Sequence, residues 1–120
     1  MVNQDGELDL SIGKFSADAQ SELFHYTSVE NNFVLVSGAS NPVAGNNPRR
    51  VAITFGLTAG SGALLTTQLP NTGNSGIQLI IGQPITFNFQ NNGTLPGKAW
   101  TVWSPGAGLK LCVIETLFIG

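Results

Sequence analysis

From residue 31 onward the chain alternates apolar and polar residues in short runs, and helical periodicity is almost absent. This period-of-two pattern, broken by Gly, Pro and Asn clusters about every 8–12 residues, belongs to half-buried strands. It predicts strands over Asn32–Ser37, Arg49–Leu57, Ala63–Leu69, Gly76–Ile81, Ile85–Gln90, Ala99–Ser104 and Leu109–Phe118. Between them, Asn41-Pro42, Asn47-Pro48, Asn92-Gly93 and Pro96-Gly97 supply residues that tolerate or pre-set turn dihedrals.

Alternation also assigns faces. Val51, Ile53, Phe55 and Leu57 should point one way, with Ala52, Thr54 and Gly56 opposite. Ile85, Phe87 and Phe89 form a second inward set, and Leu109, Leu111 and Val113 a third. The expected fold is all-β: a single antiparallel β-sandwich, jelly-roll-like, of about seven to eight strands with an N-terminal extension.

The extension reads differently. Leu8, Leu10 and Ile12 alternate with acids and Ser11 as in a short strand, and Ser16 is placed to cap a brief helix over 17–25. Leu23, Phe24 and Tyr26 would dock that helix. The expected division is an acidic arm over 1–30 and a sandwich over 31–120.

Charge sharpens this division. Only 12 of 120 residues are Lys, Arg, Asp or Glu, whereas Asn, Gln, Ser and Thr number 36, so the polar surface is mostly uncharged. Residues 1–30 carry six acids and one base; residues 31–120 carry four bases and one acid, Glu115. Four scattered bases do not make a phosphate-tracking patch, so nucleic acid is not an expected partner. No apolar run reaches the ~18 residues of a membrane span or follows a basic N-terminus as in a signal peptide, so neither membrane nor export is expected.

Candidate chemistry is sparse. A hydrolytic triad needs a base, and the chain has one imidazole, His25. A single cysteine, Cys112, excludes an internal disulfide framework and reads as an inert thiol in an apolar strand. Asp5, Glu7 and Asp9 share an alternating spacing but lack the glycine and distal Glu of a calcium loop. The glycine-rich run 56–62 has no following Gly-Lys-Ser/Thr. No enzyme activity, metal, cofactor or small-molecule substrate is expected.

Trp100 and Trp103 stand three apart and so face opposite sides of one strand. One fills the core beside Val102. The other is covered by the arm, or is exposed to stack on a sugar or anchor a protein interface.

One stretch resembles a known family. The order Asn47-Pro48-Arg49-Arg50-Val51-Ala52-Ile53-Thr54-Phe55, Gly76-Ile77-Gln78-Leu79, a Gly-x-Pro-Ile turn over 82–85, Ala99-Trp100 and a closing Val113-Ile114-Glu115 resembles the small virion proteins that decorate, or cement, tailed-bacteriophage capsids. The resemblance spans about residues 47–116. It implies a structural, often trimeric sandwich on the outer capsid surface, made in the host cytoplasm, that binds the major capsid protein where capsomers meet. Candidate contacts are Asp5, Glu7 and Asp9 of the arm, Arg49, Arg50 and Trp103. The alternative is a carbohydrate-binding or adhesion module of a phage tail or head fibre.

Overall fold

The computed structural model describes residues 25–120; the expected short strand around Leu8–Ile12 and most of the expected helix lie outside them. The described residues form eight strands: β1 Tyr26–Val34, β2 Ala39–Ala44, β3 Arg50–Ala59, β4 Leu64–Thr66, β5 Ile77–Gln78, β6 Ile85–Asn88, β7 Trp100–Ser104 and β8 Lys110–Phe118. They make two four-stranded sheets with orders β1-β8-β3-β6 and β2-β7-β4-β5. Every pairing is antiparallel. The pairings are nested: β1 with β8, β2 with β7, β3 with β6, β4 with β5. A long hairpin paired in this way and then rolled up is a jelly roll. The expected all-β sandwich is what the chain forms.

The core lies between the sheets. Ile53, Phe55 and Leu57 of β3, Leu111 and Val113 of β8, and Val102 of β7 are buried there. Trp100 stacks on Phe87 at 4.8 Å between ring centres and tilts against Phe55 at 5.1 Å. Such aromatic pairs add about 0.5–1.5 kcal/mol each beyond their buried area.

Four details differ from the sequence expectation. β1 begins at Tyr26, so residues 26–30 belong to the sandwich rather than the arm; they pair with Ile114–Phe118. β2 contains Pro42, where a turn was expected. A proline lacks a ladder donor, and β2 is an edge strand, where that loss is tolerated. The turn between β1 and β2 is held instead by Asn41, whose Oδ1 accepts from Val36 N–H at 2.8 Å and whose Nδ2 donates to the Val36 carbonyl at 3.2 Å.

Phe89 does not point inward. β6 ends at Asn88, whose Oδ1 accepts from Asn91 N–H at 2.9 Å and caps a helical turn over Phe89–Asn92. Phe89 is left 53 % exposed. At the start of β3, the register shifts between Arg50 and Ala52. The extra residue, Val51, is only half-buried, and Arg50 takes the inward place instead.

Candidate interaction surface

Arg50 and Arg49 are neighbours with opposite fates. Arg50 is 5 % exposed, and its guanidinium is held on several sides. Nε donates to Glu115 Oε1 at 2.7 Å, Nη1 to the Pro96 and Lys98 carbonyls at 3.2 and 3.1 Å, and Nη2 to the Gly45 carbonyl at 2.9 Å. Glu115 also accepts from Asn31 Nδ2 at 3.2 Å. The planar fork suits this cluster of fixed acceptors. Arg50 therefore fastens the loop before β3 and the 3-10 turn Leu95–Gly97 to β8, and it is not available as a surface contact. Arg49 is exposed, with Nη1 donating to the Phe118 carbonyl at 3.2 Å.

Trp103 lies on the side of β7 opposite Trp100 and is half-buried. The β4–β5 connection covers it. A Cβ built at Gly73, whose φ is +80°, would come within 2.6 Å of the indole, so glycine is what lets that backbone lie on the ring. Trp100 Nε1 is buried without an acceptor among the described residues. Asp5, Glu7 and Asp9 lie outside the described residues.

The outer face of the first sheet was not singled out by sequence. Register places Glu30, Ile114, Thr54 and Thr86 in one row and Asn32, Cys112 and Gly56 in the next. Thr54 and Thr86 hydroxyls hydrogen-bond at 2.8 Å, and Ile114 is exposed. Within these two rows Glu30 is the sole charge. The remainder is small, β-branched or amide-bearing, and so flat and cheap to desolvate. At one end of the face Tyr26 and Phe118 meet edge-on at 5.7 Å, with His25 against Phe118 at 6.1 Å.

Burial pushes the Cys112 thiol above its ordinary value, and the Glu30 carboxylate adds to this by repelling the thiolate and accepting from the thiol. Alkylation at pH 8 should therefore be slower in the folded protein than in urea, and Glu30→Gln should accelerate it; equal rates in wild type and variant would contradict this. The folded state also holds the thiol proton more tightly than the unfolded chain. That stabilisation is complete below the free-thiol value of about 8.5 and fades as pH rises through the higher folded value.

Described residues form clefts at the sides of the sandwich. One of about 520 Å³ opens between β1 and β2 and is lined by Phe33, Val43, Trp100, Leu69 and Glu115. Another, about 410 Å³, lies at the Arg50 end between Pro48, Val51, Phe89, Thr94 and Lys98.

The chain defines a jelly-roll protein without a clustered catalytic constellation among its described residues. It matches no protein-family model and no curated protein. One solved structure is similar: a chain from the Bacillus endospore appendages described as a novel family of disulfide-linked pili. It is 12 % identical, with 79 % of this chain and 88 % of that chain covered and a TM-score of 0.46. A likeness at that level carries no weight for function.

Proposed function

We propose that the protein is a structural virion component that decorates a bacteriophage capsid by binding the major capsid protein at capsomer junctions, using the outer face of the first sheet. The observation that carries this reading is the near absence of charge from the centre of that face. Interface cores are depleted in charged residues, and a row such as Ile114–Thr54–Thr86 buries without stranding an ion. The sequence resemblance over residues 47–116 supplies the capsid as partner. Edge strands at both ends of each sheet favour self-association as well, and a trimer would cover some of them.

Purified protein mixed with expanded, undecorated capsids is expected to co-sediment with them and raise their heat resistance. Ile114→Arg, on the outer face, should abolish binding while the free protein stays folded, and light scattering of the free protein should give a trimer mass. Wild-type protein that neither sediments with capsids nor changes their melting sinks the reading. An Ile114→Arg variant that binds normally moves the contact off this face.

A further inference from the structure

We infer that copies of this chain join through the tight turn over 80–83 of one molecule, which seats Ile80 and Ile81 in the cleft between β1 and β2 of the next. Such a joint presupposes the self-association proposed above, but not the capsid. Tight turns are mostly built of Gly, Pro, Asn, Asp and Ser, yet this one displays isoleucines that are 48 % and 51 % exposed. Gln83 N–H donates to the Ile80 carbonyl at 3.1 Å, and Gly82 supplies a φ of +81°. The tip is anchored: Leu79 before it is buried and its N–H donates to the Ala63 carbonyl at 2.9 Å. An apolar knob already held in shape has little ordering left to lose on binding. Nor does it strand an ion, because no residue from Val51 to Gly97 is charged.

The cleft is the complement. Phe33, Val43, Leu69 and Trp100 give it apolar walls, and the Glu115 carboxylate in its lining is already paired with Arg50 at 2.7 Å. It lies between β1 and β2, each at one edge of its sheet among the described residues, whereas the turn links β5 to β6, at the far edges. Register sets knob and cleft at one height. A Cβ on Gly56 would meet Pro84, beside the turn, at 3.8 Å. Gly56 pairs with Cys112 and Cys112 with Asn32, whose neighbours Asn31 and Phe33 line the cleft. Successive antiparallel pairings leave β6 running opposite to β1 and β5 opposite to β2. A second copy set alongside therefore presents its edge strands in the antiparallel sense. Each copy gives one knob and accepts another, a head-to-tail contact that closes into a ring, such as a trimer, when the rotation between neighbours permits. The cleft at the Arg50 end fits worse, because Lys98 is part of its wall.

Light scattering of the full chain and of two variants tests this. Ile81→Asp spoils the knob and Leu69→Arg the cleft; both positions are at least half exposed, so the near-ultraviolet signal of the tryptophans should be retained. Each variant alone should associate roughly thirtyfold more weakly than wild type, as loss of a hot-spot residue does. At a concentration where each alone is a monomer, an equal mixture should give a one-to-one dimer and nothing larger, because one intact knob then meets one intact cleft. A wild type that stays monomeric overturns the joint together with the proposed self-association. Wild-type oligomers unchanged by Ile81→Asp, or a mixture that forms no dimer, overturn the joint alone.

Discussion

Arg50→Met is expected to lower the unfolding free energy by about 3–5 kcal/mol, the usual cost of removing one partner from a buried ion pair. The physical reason is what the substitution leaves behind. Glu115, whose side chain is 13 % exposed, would keep its charge with only Asn31 as a described side-chain partner, and the Gly45, Pro96 and Lys98 carbonyls would lose a shared donor. Arg50→Lys should recover only part of the loss, because an ammonium has no planar fork to reach acceptors on several sides. Adding Glu115→Leu to Arg50→Met removes the stranded charge and should restore some stability. The restoration will be incomplete, since the carbonyls remain without their donor. Urea melts of the two single variants and the double variant measure this coupling directly. A loss below about 1 kcal/mol for Arg50→Met would mean the pair behaves like an exposed one.

Trp100→Ala is expected to cost a similar amount, about 3–5 kcal/mol. The indole fills the space between Phe55 and Phe87, and neither ring can follow it inward without leaving its own strand. Trp100→Phe separates two contributions. It retains an aromatic ring for stacking and removes an N–H that has no acceptor among the described residues, an orphan worth about 1–3 kcal/mol against folding. The phenylalanine variant should therefore lie within about 1.5 kcal/mol of wild type, because removal of the orphaned donor offsets the space the smaller ring leaves behind. If both variants lost equally in denaturant, the indole N–H would have to be contributing stability through a partner.

The alternation of apolar residues was a good guide wherever a strand had one dry face and regular backbone. It located the inward sets of β3 from Ile53 onward and of β8, and it placed Trp100 beside Val102. It failed where side chains rather than backbone periodicity set the local geometry. Pro42 looks like a turn residue, yet on an edge strand it lacks nothing that the ladder requires. Phe89 continues the apolar alternation, but the Asn88 side chain captures the next turn and swings it outward. Arg50 looked like a surface contact because a charged residue at the mouth of a strand is usually solvated. One bulged residue reversed its direction, and bulges carry no signature in a single sequence. The flat face of the first sheet was invisible for another reason: Thr54, Thr86 and Ile114 are far apart in sequence and become one row only through the nested pairing.

That nesting bears on how the protein is made. β8 leaves the ribosome after the seven other described strands, yet it sits inside its sheet between β1 and β3. Until its nine residues emerge, two strands of that sheet present unpaired edges to whatever is nearby, the arrangement that invites misassembly. Tyr26 must wait for Phe118, so closure of the first sheet waits on the emergence of β8, and chains that stop short of β8 are the ones expected to aggregate.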